Sequence, residues 1–218
     1  MKIKSFGCSF IYGSDLGDSV HNKSCQPSQS TWPALIAKEI GVEYECHAWP
    51  GIGNLRILEN VLEQVSTSNT NDLFIIGWTW IDRFDFTDLT DNWHTILPVD
   101  TKKEAEVYYK FLHSQYRDKL TTCVHIRSAI DALNAAKIPF IMTYVDRLTF
   151  EVAYHTSAAM LSNQQYIRPY MTEFEEHTFL EYSKINNHTI SDNWHPLESA
   201  HRAAARVILK ELTAAKLF

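Results

Sequence analysis

The chain has 218 residues, 45% of them hydrophobic and 21% charged, a balance that supports a buried core without disulfide or metal staples. Its 20 basic and 26 acidic residues leave a net charge of −6. That balance argues against general affinity for DNA or for an anionic membrane, because phosphate binding needs clustered Lys and Arg. The length fits one domain over 1–218. Lys2 and Lys4 are followed by no apolar leader-like run, and no stretch nears the ~18 apolar residues of a membrane span. The expectation is a protein without a cleaved signal, cytoplasmic or virion-associated. Cys8, Cys25, Cys46 and Cys123 form no CxxC pair and match no common zinc spacing, so they read as free thiols, with no metal and no cofactor implied.

In chain order, Lys2–Phe6 reads as a strand ending at Gly7. Trp32–Ile40 reads as a helix, with Thr31 as N-cap and Pro33 in its first turn. Glu43–His47 is a second strand. A loop from Ala48 leads to Asn54, which is read as the cap of a helix with Leu55, Leu58, Val61, Leu62 and Val65 on its apolar stripe. Asp72–Trp78 is a third strand, whose continuous run Leu73–Ile76 suits burial on both faces. A polar, aromatic-rich stretch follows to about Thr101. Helical patterns cover 102–118 and 120–136, and Ile138–Tyr144 is a fourth strand. Residues 147–190 show no clean period. The last helix spans Pro196 to Lys216, with Leu197, Ala200, Ala204, Val207, Ile208 and Leu212 on its apolar side. Strands alternating with helices predict an α/β fold with a mostly parallel sheet and ligands beyond the strands' carboxyl ends.

Three segments at that edge carry chemistry. The first is Gly7-Cys8-Ser9: a serine on a tight turn after a buried strand exposes its hydroxyl and aims its N–H at a reacting carbonyl oxygen. The bland reading makes Ser9 a helix cap. The second is Asp192-Asn193-Trp194-His195, in which His195 serves as general base and Asp192 holds its tautomer; the bland reading is an N-cap beside a surface histidine. The third is the Pro50–Asn54 loop. There Gly51 brings a backbone N–H close to an oxyanion and Asn54 donates its amide, or Asn54 is simply the helix cap. Asp91 and His94 repeat the Asp-x-x-His pattern and rival the second segment.

In order and separation these segments resemble the SGNH or GDSL-like hydrolases, in a Gly-Cys-Ser-Phe variant similar to a divergent bacterial and phage branch. The resemblance spans residues 3 to about 208. It implies a flavodoxin-like three-layer α/β/α fold and a serine esterase with Ser9, His195 and Asp192 as its triad. Gly51 matches the family's second block. The third block, Gly-x-Asn-Asp, reads Gly77-Trp78-Thr79-Trp80 here, without the oxyanion-binding Asn. The hole would then draw on the N–H groups of Ser9 and Gly51, with the Thr79 hydroxyl or the Asn54 amide in place of the missing donor. Cys8 replaces the family's Asp and reads as a small filler.

Trp78, Trp80, Arg83 and His94 are the candidate substrate-lining residues. Aromatic faces beside carboxylates suit sugar rings, an acyl pocket or plain core packing, and Arg83 suits an anionic substrate group or an ion pair with Asp82 or Asp85. The expected substrate is a small-molecule or glycan ester, with a carbohydrate O-acyl ester favoured. The alternative is a non-catalytic ligand-binding protein on the same fold.

Overall fold

The computed structural model describes residues 1–19, 26–152 and 157–214. Strand β1 (Lys2–Gly7) leads at once into the single-turn helix α1 (Ser9–Tyr12). Helix α2 (Trp32–Ile40), strand β2 (Glu43–Cys46), helix α3 (Asn54–Val65) and strand β3 (Leu73–Trp78) follow. The aromatic-rich stretch forms a hairpin of β4 (Phe84–Thr87) and β5 (Trp93–Ile96). After helix α4 (Lys103–Val107) come a π-helical turn and the long helix α5 (Gln115–Ala136), then strand β6 (Phe140–Tyr144). Helices α6 (Ala158–Ile167), α7 (Phe179–Ile185) and α8 (Glu198–Ala214) complete the order.

The main sheet runs β2-β1-β3-β6, all parallel. Alternation along each strand sorts the core into two layers. Ile3 and Ile75 face Trp32 and Ile36 of α2 and Ala200, Ala204 and Ile208 of α8. Phe6, Phe74 and Ile76 face Ile57 and Val61 of α3 and Ile126, Ile130 and Leu133 of α5. This is the expected three-layer α/β/α sandwich. Strand order reverses between β1 and β3, which makes the carboxyl end of β1 the place where ligands bind in such sheets.

Several boundaries differ from the sequence reading. The break before α5 falls at His113 and Ser114, because Ser114 turns extended and accepts a hydrogen bond from Arg117 N–H; α5 then runs unbroken through 119. Residues 147–190, unreadable by periodicity, hold α6 and α7. The latter opens with a capping box between Thr178 and Glu181. Helix α8 begins at Glu198, two residues after Pro196; Lys216 lies outside the described residues, as does Cys25. Cys8, Cys46 and Cys123 are free thiols. Among the described residues, no helix is long and apolar enough to cross a membrane.

The turn after β1 has almost no room. Gly7 (φ 154°) pairs with Gly77 of β3, and Ile11 lies across both. A Cβ on Gly7 would stand 2.6 Å from Ile11 Cγ1 and 2.9 Å from the Gly77 carbonyl oxygen; one on Gly77 would stand 2.8 Å from the same Ile11 carbon. Only glycine lets α1 fold back this tightly.

Gly7→Ala combines a disfavoured φ with overpacking, and should destabilise the fold by about 2–4 kcal/mol in urea denaturation. A second outcome concerns His201, fully buried on α8, whose Nδ1 accepts a hydrogen bond from Trp32 N–H at 3.0 Å. Burial pushes its imidazole down from 6.5 to about 3. The unfolded chain binds a proton there between those values and the folded chain does not, so stability should fall as pH drops from 6.5 towards 3. His201→Asn, which retains an acceptor, should flatten that slope in urea midpoints measured across the range.

Candidate active site

Ser9 opens α1 at the switch point and is 6% exposed. Its Oγ lies 4.0 Å from Cys8 Sγ and within hydrogen-bond distance of neither His195 nor His94. Cys8 is 1% exposed and packs in the core, as a filler should. The ring of His195 stands edge-on to Phe10, the residue after Ser9, at 5.8 Å between centroids. Ser9 and His195 therefore lie at one sheet edge, linked through the Phe10 ring.

The partner of the histidine differs from the expectation. His195 Nδ1 lies 2.7 Å from Oδ2 of Asp15, whereas Asp192 is exposed and makes no hydrogen bond to His195. The reason is local. Ser191 N–H donates to the His195 carbonyl, and Ser191 Oγ accepts from the N–H groups of Asn193 and His195. That closed turn sends the side chains of Ser191, Asn193 and His195 towards Asp15 and leaves Asp192 on the outside. Sequence reasoning missed Asp15, since its contact spans 180 residues and nothing in its own neighbourhood marks it.

The Asn54 amide is already committed. Its Nδ2 donates to the carbonyls of Thr79 (3.2 Å) and Trp80 (3.4 Å) and to Thr122 Oγ1 (3.2 Å), while Oδ1 accepts from Thr79 N–H at 2.8 Å. With two amide hydrogens already shared among three acceptors, none is left for an oxyanion. Asn54 thus braces the loop after β3. It is also not the cap of α3: Gly53 holds that position, and the buried Asp85 accepts from Gly53 N–H at 2.8 Å and Arg56 N–H at 3.0 Å. A carboxylate there complements the helix dipole. Thr79 is 1% exposed, and its hydroxyl is enclosed without a hydrogen-bond partner. The N–H groups of Ser9 and Gly51 have no acceptor among the described residues and stay available.

The aromatic candidates divide. Trp78 is 1% exposed and belongs to the core, so it cannot stack on a ligand. Trp80 is half-buried, edge-on to Phe10 at 5.4 Å, with the Arg83 guanidinium 4.7 Å above its ring. Arg83 also donates to the Ile52 carbonyl at 3.0 Å, so it ties this wall to the Gly51 loop and makes no ion pair with Asp82 or Asp85. His94 lies on β5, stacked on Phe86 and bonded to Asp88 at 2.9 Å; it lines a cleft of about 350 Å³ with Asp100 and Lys102. Asp91, its expected partner, is exposed and makes no hydrogen bond to it; Asp88 takes that place. Two exposed rings escaped the sequence reading. Trp49, 48% exposed, sits where its N–H donates to the Gly7 carbonyl. Trp194, 60% exposed at φ 66°, immediately precedes His195.

No protein-family model matches the chain, and no curated protein matches it. Solved structures do. A member of the lipolytic protein G-D-S-L family from Veillonella parvula superposes with a TM-score of 0.56 at 14% identity, over 98% of each chain. The acetyl xylan esterase Est2A from Butyrivibrio proteoclasticus gives 0.53 at 11% identity, covering 100% of this chain and 65% of its own. TesA gives 0.53 at 11% identity over 100% of both chains. The chain has the three-layer α/β fold of the G-D-S-L lipolytic proteins.

Proposed function

We propose that the protein is a serine esterase that hydrolyses carboxylic esters, with the O-acyl ester of a carbohydrate as its substrate class. The observation that carries this reading is the state of His195. Its Nδ1 is held by a carboxylate, and its ring packs on Phe10 beside Ser9. That leaves Nε2 as the nitrogen for proton transfer.

In the proposed reaction Ser9 Oγ attacks the acyl carbonyl while His195 Nε2 takes the hydroxyl proton. The N–H groups of Ser9 and Gly51 receive the oxyanion. The imidazolium then protonates the leaving alcohol, and the acyl group stays on Ser9. Water, deprotonated by His195, attacks the acyl-serine; the acid leaves and Ser9 regains its proton. Such hydrogen bonds are commonly long before substrate binds, which accords with the open Ser9–His195 pair. The exposed rings of Trp49, which packs on Tyr12 of α1, and of Trp194, next to His195 in the chain, favour a sugar as the alcohol portion. The acetyl xylan esterase activity of Est2A, a protein with the same fold, agrees with that class.

One observation favours a second reading, a non-catalytic glycan binder. The Asn54 amide is committed and the Thr79 hydroxyl enclosed, so the oxyanion keeps two backbone donors. Loss of one donor typically costs about 10²–10³ in rate. Hydrolysis of p-nitrophenyl acetate and labelling by a fluorophosphonate separate the readings. Ser9→Ala should lower kcat by about 10⁶ and abolish stoichiometric labelling. Equal rates and no labelling in both proteins would leave the binder. Trp194→Ala should raise KM for acetylated oligosaccharides more than for p-nitrophenyl acetate.

A further inference from the structure

We propose that Asp15, not Asp192, is the carboxylate that positions His195, so that the nucleophile and the orienting acid both come from the first loop of the fold. The proposal rests on the esterase reading of Ser9 and His195 and names the third member of that site.

Three donors from the turn before α8 converge on one oxygen, Asp15 Oδ2: Ser191 Oγ at 2.7 Å, His195 Nδ1 at 2.7 Å and Asn193 Nδ2 at 3.1 Å. Ser191 Oγ also accepts from His195 N–H at 3.2 Å, so the hydroxyl couples the carboxylate to the histidine backbone. The placement of Asp15 is set by α1. That helix ends on Gly13, and Ser14 N–H returns to the Ser9 carbonyl at 3.0 Å, which fixes the direction of the next residue. Asp15 itself adopts φ 68° and Trp194, across the contact, φ 66°. Two non-glycine residues held left-handed on either side of one carboxylate indicate a geometry that the surroundings impose. A second tether holds the same two segments together: Gly17 N–H donates to Oε1 of Glu198, in the first turn of α8, at 2.9 Å.

The charge state fits the role. Burial of Asp15 works against ionisation, but the hydrogen bonds from Ser191, His195 and Asn193 and the charge of His195 outweigh it, and the carboxyl is held down at about 2. An ionised acceptor at Nδ1 keeps the proton on that nitrogen and leaves Nε2 free to accept one from Ser9. Asp192 has no such contact; it is exposed on the outer side of the turn.

The test pairs kinetics with ¹⁵N NMR of the imidazoles of the full chain. In the wild type the His195 shifts should report a proton on Nδ1 bonded to a carboxylate. Asp15→Asn should erase that signature and lower kcat by about 10⁴ with KM nearly unchanged, since a wrong tautomer disables the base without removing substrate contacts. Asp15→Glu should restore part of both. Asp192→Asn should keep the signature and a rate within a few-fold of wild type. Loss of the signature and of kcat in Asp192→Asn, or their retention in Asp15→Asn, overturns the assignment. The spectra of the wild type and Asp192→Asn decide the matter even if Asp15→Asn fails to fold. They also read the Asp15–His195 pair without turnover, so an inactive wild type with the signature intact would sink the esterase reading and leave the pairing standing.

Discussion

The absence of side chains where β1 meets β3 is the constraint on which the site depends. Gly7 and Gly77 lie opposite each other in the sheet, and Ile11 fills the space that two Cβ atoms would take. Because the chain can turn back within one residue of the strand end, Ser9 begins a helix at the switch point, Phe10 meets His195, and Asp15 emerges facing the turn before α8. A side chain at either glycine would displace Ile11 and every residue that follows from the turn.

Around that turn the loops are held by carboxylates and one amide, each closing a long span of sequence. Asp15 gathers the turn that carries His195. Asp85 caps α3 from the hairpin, also accepts from Thr95 Oγ1 at 2.6 Å, and thereby fixes the loop containing Gly51. Asn54 joins the start of α3 to the loop after β3 and to Thr122 of α5. These groups are buried or half-buried and multiply bonded, so each is satisfied, and removing any one would leave several polar groups unpaired. The positions of Ser9, Gly51 and His195 thus follow from a polar scaffold underneath them as much as from the sheet.

The site itself is lean. The aromatic stretch after β3, which reads in sequence as a substrate wall, is largely structural: Trp78 is core, and Trp80 is covered on one side by Arg83 and meets Phe10 at its edge. The exposed tryptophans Trp49 and Trp194 come from the loop after β2 and the turn before His195. With the hydroxyl of Thr79 enclosed, the oxyanion of the proposed reaction would fall to the backbone N–H groups of Ser9 and Gly51, which have no acceptor among the described residues. The chemistry proposed here therefore rests on few donors, held firmly.

The sequence by itself determined the layered α/β fold. Continuous apolar runs such as Leu73–Ile76 suit a strand buried on both faces, and the 3–4 residue stripe of α3 suits a helix on that sheet. It also singled out Ser9 and His195, because a serine after Gly7 and a histidine before the last helix follow from local order along the chain. Which carboxylate meets His195, what caps α3, where the Asn54 amide points and which tryptophans reach solvent were decided by the tertiary structure alone. Each depends on side chains brought together from distant segments, and Asp15 and His195 are 180 residues apart. A hydrogen bond across that span leaves no period or spacing to read. The Asp-x-x-His pattern suggested a local partner, and the closed turn around Ser191 faces the distant one.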